Sequence, residues 1–165
     1  MRRICLVAVD VRSIHNVGSF FRTADGFSAE IMLTGITPRP KNGSDDDRLP
    51  HVIKKAHDAL SKTALGAENS VHWRYFNDVN QAIIELKSEG FKIVALEQDK
   101  NSIPISEMLS DIPLAILVGA EVTGLTKEIL EQCDVIYEIP MTGSKESFNV
   151  SISAGIALYQ ARLTK

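Results

Sequence analysis

Two short stretches leave no polar face for water. One is Ile4-Cys5-Leu6-Val7-Ala8-Val9, the other Pro113-Leu114-Ala115-Ile116-Leu117-Val118. Apolar runs of this length, without polar alternation, suit strands covered on both sides, as in a parallel sheet between two helical layers. The rest of the chain fits that frame. A helix starting near Asn16 carries Phe20, Ala24 and Phe27 on one face, with Gly26 near its end. Strands are expected at Glu30–Leu33, Ser70–Phe76, Phe91–Leu96 and Asp134–Ile139. Helices are expected at His51–Leu60, Asp78–Glu89 (closed by Gly90) and Thr126–Gln132, and from Ser147 or Asn149 to about Leu163. Strands alternate with helices, so the expected class is α/β, a mostly parallel sheet flanked by helices. No internal repeat is visible, and 165 residues suit a single domain, 1–165.

Composition narrows the function classes. An apolar share of 44% and a charged share of 24% are ordinary for a soluble globular protein. No apolar run approaches the roughly 18 residues of a membrane span. Met1-Arg2-Arg3 begins like an export signal, but the apolar run stops at Asp10, so a cytoplasmic protein is expected. Cys5 and Cys133 have no metal-binding or redox spacing, and no metal site is expected. The net charge of −3 disfavours a generally basic nucleic-acid binder. It is unevenly split: residues 1–65 hold ten Lys/Arg against seven Asp/Glu, and residues 66–165 eight against fourteen. Either this is ordinary fluctuation or the first half can bind phosphate.

Three stretches can carry chemistry. Asn16-Val17-Gly18-Ser19-Phe20-Phe21-Arg22 follows a buried strand, at the end where open α/β sheets place ligands. Arg22 faces away from Phe20, and is either a solvated surface arginine or a bidentate grip on phosphate. Gly119-Ala120-Glu121-Val122-Thr123-Gly124-Leu125 is a turn at the end of the most apolar strand. Its glycines let a ligand approach the backbone, and Glu121 serves either as a base or as an anchor for the turn. It is neither a Walker loop nor a dinucleotide fingerprint. The third stretch, Ile139 to Ser151, breaks a strand at Pro140 and leads into a helix that is small or apolar on most sides. Gly155 in mid-helix suggests a close neighbour. Ser147 and Asn149 either cap that helix or offer polar contacts to a ligand.

Together these stretches resemble the three motifs of the SpoU/TrmH branch of the SPOUT RNA methyltransferases. Asn16, Gly18 and Arg22 match the first, and Gly119, Glu121, Gly124 and Leu125 the second. Ile139, Pro140, Met141, Ser147, Asn149, Val150 and Ser151 match the third, with Phe148 where leucine is usual. Lys62 to Glu68 also resembles a stretch common in this branch.

The resemblance implies a C-terminal deep trefoil knot, a feature that no pattern argument would reach because knots are so rare. It implies S-adenosylmethionine as cofactor, held by Leu96, Gly119, Ile139, Met141, Ser147 and Phe148. It implies a homodimer and methylation of a ribose 2′-hydroxyl in tRNA or rRNA. Arg22 would be the catalytic residue, with Asn16, Ser147 and Asn149 fixing the hydroxyl. Gly18, Glu121 and Gly124 would be structural or touch RNA. Many relatives carry added RNA-binding segments; no added RNA-binding domain is expected within 1–165, so RNA selection is expected from the domain itself, the dimer or a partner. The loop Thr37–Pro50, with Arg39, Lys41 and Arg48, is the expected RNA contact, although Asp45, Asp46 and Asp47 oppose it. The competing readings are an inactive RNA-binding module of the same fold and a flavodoxin-like small-molecule enzyme.

Overall fold

The two apolar runs lie side by side at the centre of the sheet. The computed structural model describes residues 2–42, 46–109 and 111–163. Its elements are β1 (Ile4–Val9), α1 (Ile14–Phe27), β2 (Glu30–Thr34), α2 (Pro50–Ala64), β3 (Trp73–Phe76) and α3 (Val79–Ser88). There follow β4 (Lys92–Leu96), β5 (Ile103–Pro104), β6 (Leu114–Val118), α4 (Lys127–Leu130), β7 (Val135–Glu138) and α5 (Val150–Leu163). The strand order is β3-β2-β1-β6-β4-β7-β5, and the pairings are parallel. β1 pairs with β6 from Ile4–Leu114 to Ala8–Val118.

The side chains of β1 divide between two cores. Ile4, Leu6 and Ala8 pack with Phe20, Phe21 and Ala24 of α1, Leu60 and Ala64 of α2, and Ala154, Ala157 and Leu158 of α5. Cys5, Val7 and Val9 pack with Ala82, Ile83 and Leu86 of α3 and Ile129 of α4. That is why the run shows no alternation: both pleat faces are dry. Burial raises the Cys5 thiol pKa, and that of Cys133 to about 11, so both thiols are neutral at pH 7.

Several boundaries differ from the pattern reading, each for a local reason. Ser13 caps α1, its Oγ accepting from the Asn16 amide at 3.3 Å, so Asn16 lies one turn inside the helix. At the other end Ser28, at φ 50°, takes the left-handed position. α2 begins on Pro50, suited to a first turn, and continues past Leu60 until Leu65 turns left-handed at φ 53°. A 3₁₀ turn, Ala67–Asn69, follows, and β3 begins at Trp73 rather than at the expected Ser70. Asn149 caps α5: its Oδ1 accepts from the Ser151 amide at 2.8 Å and from Ser151 Oγ at 2.7 Å. Gly155 faces α1, but a Cβ there would stand 3.7 Å from Thr23 Cγ2, an ordinary contact. Within this chain, then, nothing requires glycine at that position.

Gly18 is different. It sits where α1 crosses α2, and a Cβ there would come 2.0 Å from Thr63 Oγ1 and 2.4 Å from Leu60 O. Thr63 Oγ1 also donates to His15 O at 3.0 Å, tying the two helices at the crossing. Arg162 closes the other end of the layer. Its Nε donates to Phe27 O at 2.9 Å and its Nη1 to Arg2 O at 3.0 Å. Among the described residues no helix is long and apolar enough to cross a membrane. The Gly18→Ala variant should lose about 1–3 kcal/mol of stability, because backbone on the facing helix must give way. Chemical denaturation of both proteins measures that difference.

Candidate active site

Parallel strands bring their carboxyl ends to one edge, and a cleft opens there. It has a volume of ≈ 380 Å³ and is floored by Leu96 at the end of β4, Val118 at the end of β6, and Ile139 just past β7. This volume is within the range of small-molecule sites. One wall is the turn Gly119–Gly124. The other runs from Met141 through Ser147, Phe148 and Asn149 to Val150 and Ser153 at the start of α5. Leu96, Gly119, Ile139, Met141, Ser147 and Phe148 thus lie around one space, with Glu121, Gly124 and Asn149. Asn16, Gly18 and Arg22 do not line it.

The turn is folded tightly on itself. Ala120 bridges Gly124, whose amide donates to Ala120 O at 2.9 Å. A Cβ on Gly119 would stand 2.3 Å from Gly124 C and 2.6 Å from the Leu125 amide nitrogen. Gly119 is therefore required by the turn's own backbone, so a side chain there would deform the wall rather than simply fill the cleft. Gly124 has φ +63°, and a Cβ there would stand 2.3 Å from Glu97 Oε2.

Two carboxylates hold this turn from opposite sides. Glu97, directly after β4, accepts from the Leu125 amide at 2.9 Å through Oε2. Glu121 accepts from the Ser13 amide at 3.1 Å, the Arg12 amide at 3.3 Å and Asn16 Nδ2 at 2.9 Å. Burial raises the pKa of the Glu121 carboxyl. Bonds from its own amide, from Asn16 and from the Arg12 and Ser13 amides outweigh that, leaving it below the ordinary carboxylate range. Such a group is an ionised anchor and a weak base at neutral pH. It also assigns Asn16: its side-chain amide is spent on the turn. Gln98 steadies the opposite wall, its Nε2 donating to Glu146 O at 2.6 Å.

Pattern reading missed Glu97, Gln98 and Glu138, all of which line the cleft. The available signal was position, since Glu97 and Glu138 stand at the carboxyl ends of their strands as Leu96 and Ile139 do. The cleft thus carries the carboxylates Glu97, Glu121 and Glu138 and, among the described residues, no lysine or arginine. That lining suits a cationic ligand and opposes an anionic one. Among the described residues no cluster of His, Cys, Asp and Glu could hold a metal ion.

Arg22 lies outside this space. It is exposed on the outer ridge of α1, and its side chain makes no hydrogen bond or ion pair within the described residues. The neighbouring α5 presents Ile152, Tyr159 and Leu163 to solvent, each more than half exposed, along one ridge.

Residues 3–159 match the SpoU rRNA Methylase family. The chain belongs to that family. It is 34% identical over 157 residues to the 23S rRNA (guanosine-2'-O-)-methyltransferase RlmB of Nitrosomonas europaea, covering 95% of this chain and 55% of the relative. It is 33% identical over 111 residues to the tRNA (guanosine(18)-2'-O)-methyltransferase of Borreliella burgdorferi, covering 66% of this chain and 51% of the relative. The chain thus spans about half the length of these curated SpoU relatives. Among solved structures, the TrmH/SpoU tRNA modifying enzyme of A. aeolicus superposes with a TM-score of 0.77 at 26% identity, covering 98% of this chain and 75% of that one. An AdoMet-bound rRNA methyltransferase from Sinorhizobium meliloti shares the fold, with a TM-score of 0.80 at 23% identity, covering 97% of this chain and 56% of that one.

The Glu121 anchor has a pH signature. Its depressed pKa means that its contribution is complete above the unfolded carboxyl value, about 4.3, and is lost as pH falls through the folded value. The stability difference between the wild type and Glu121→Gln should therefore be full at pH 7 and shrink as the pH is lowered from 5 towards 3. Urea unfolding across that range measures it, and a difference that grew on acidification would contradict the anchor.

Proposed function

We propose that this protein is an S-adenosylmethionine-dependent RNA methyltransferase acting on a ribose 2′-hydroxyl of tRNA or rRNA. The observation that carries this reading is the cleft: family motifs from β6 and β7 meet there beside β4, and its charged lining is anionic. Its family and the names of its relatives support the same reaction. Substrates of this kind put its work in the cytoplasm. The family also implies that the segment from Ile139 through α5 is threaded as a trefoil knot.

Leu96, Gly119, Ile139, Met141, Ser147 and Phe148 would hold the cofactor, largely through backbone. Bound S-adenosylmethionine supplies a methyl group on a cationic sulfur. That methyl would pass to the ribose O2′, with the hydroxyl proton leaving to solvent and S-adenosylhomocysteine as the other product. Asn149 keeps its Oδ1 on the Ser151 amide, which leaves its Nδ2 to orient the incoming ribose with the Ser147 hydroxyl. Asn16 acts indirectly, holding the Glu121 side of the turn. A guanidinium is a poor proton acceptor. Arg22 is assigned to gripping the phosphate beside the target ribose and stabilising charge there.

Arg22 must reach a cleft that it does not line. We assign that to a homodimer: the exposed ridge Ile152, Tyr159 and Leu163 of α5, beside α1, docks on a second copy. Arg22 of each chain then completes the other's site.

Calorimetric titration with S-adenosylhomocysteine, followed by methyl transfer to bulk tRNA and rRNA, tests the reading. Binding with transfer is expected. Absence of binding would favour the flavodoxin-like alternative, and binding without transfer an inactive module. The Arg22→Ala variant should lose several orders of magnitude in transfer, with cofactor affinity nearly unchanged and stability within about 0.5 kcal/mol. Arg22→Lys should recover little, because lysine lacks the planar fork. Near-full activity of the lysine variant would mean that charge alone suffices.

A further inference from the structure

Most cations of this chain are already spent. Arg3 pairs with Glu30 and Glu89, Arg74 with Glu85 and Glu89, and Lys92 with Asp134. The expected RNA-contacting loop is spent too. Arg48 grips Asp46, with its Nε at 2.8 Å from Oδ1, and reaches back to Arg39 O at 2.9 Å and Pro40 O at 2.8 Å. Arg39 lies 3.9 Å over the Tyr75 ring and pairs with Asp47. The Arg48 bonds hold the Asp46 carboxyl well below its usual range, so the pair stays ionised near neutral pH. Asp45 lies outside the described residues. Gly43 and Ser44 lie outside them too; in the described part Asp47 and Asp46 hold Arg39 and Arg48 and brace the loop on β3, which spends two of the three cations expected to meet RNA. Among its described residues, only the Lys41 side chain remains unpaired.

The cations left without a hydrogen-bonded or ion-paired side chain are unevenly distributed. Among the described residues, Arg12, Arg22, Lys41, Lys55 and Lys62 all fall between positions 12 and 62, and only Lys100 and Lys145 lie elsewhere. Lys55 and Lys62 are exposed and seven apart on α2, hence on one ridge, opposite the buried Leu60 and Ala64. His51 shares that ridge, and Asp58 is the acid beside it, already held by Lys54. α1 and α2 lie on the same sheet face and cross at Gly18, so the outward ridge of α2 and the outward Arg22 of α1 share one molecular surface. α5 packs beside α1, with Tyr159 edge-on to Phe27 and Gly155 facing Thr23.

We propose that the outward ridge of α2, built on Lys55 and Lys62, is the surface on which the RNA backbone docks beside Arg22. This deepens the functional reading above and rests on it. Charge complementarity carries it: in a chain of net charge −3, this surface gathers free cations next to the residue assigned to the target phosphate. The ridge carries no large apolar side chain between its lysines, which disfavours a lipid surface. Contacts of this kind position RNA without reading sequence.

The test is the double variant Lys55→Gln/Lys62→Gln, with Lys100→Gln as control, titrated with unfractionated tRNA and rRNA at several salt concentrations. All substituted positions are exposed, so folding should be unaffected. The double variant should show roughly tenfold weaker RNA binding, and its salt slope should fall by about one per lysine. KM for RNA should rise with kcat and S-adenosylhomocysteine affinity unchanged, while Lys100→Gln behaves as wild type. A double variant with wild-type RNA affinity and salt slope would overturn the surface while leaving the functional reading intact. A wild-type protein that neither binds nor methylates RNA would overturn both.

Discussion

The turn from Gly119 to Leu125 is the constraint on which the site depends. It forms only because its two ends touch backbone to backbone, which glycine at 119 permits, and because Gly124 takes a left-handed conformation. Glu97 fastens it to β4 and Glu121 fastens it to the start of α1. Those two anchors connect strands on either side of β6 through hydrogen bonds from backbone amides to side-chain carboxyl oxygens. The cleft wall, the entry into α1 and the end of β4 therefore hold one another in place.

The helical layer over one face of the sheet has a division of its own. Its inner side is continuous core, from Phe20 and Phe21 through Leu60 to Leu158. Its outer side is graded: apolar on α5, a lone arginine on α1, lysines on α2. A monomer gains nothing from exposing three large apolar side chains in a row. A symmetric pair would bury them and would bring an arginine that one chain leaves idle towards an anionic cleft lined, among the described residues, by no lysine or arginine.

The sheet was legible in the sequence because doubly buried strands suppress alternation, and β1 and β6 are buried throughout. The cleft residues were legible through motif resemblance, since glycines and a proline at strand ends mark where backbone must turn. The caps were less so. Ser13 and Asn16 are both good capping residues, and only the Glu121 contact, more than a hundred positions away, decides between them. Glu97 was invisible for the same reason: its partner is the backbone of a remote turn. The 37–50 loop was only partly legible, because a count of arginines does not show that Asp46 and Asp47 hold Arg48 and Arg39.

The central claim is that each complete site is built from two chains. Mixing two inactive variants, Arg22→Ala and Asn149→Ala, under conditions that allow subunit exchange tests it most directly. A shared site predicts that activity returns to about a quarter of wild type, because half the dimers are hybrids and each hybrid holds one intact cleft facing one intact arginine. If Arg22 served the cleft of its own chain, no hybrid would contain an intact site. The mixture would then stay as inactive as its parts.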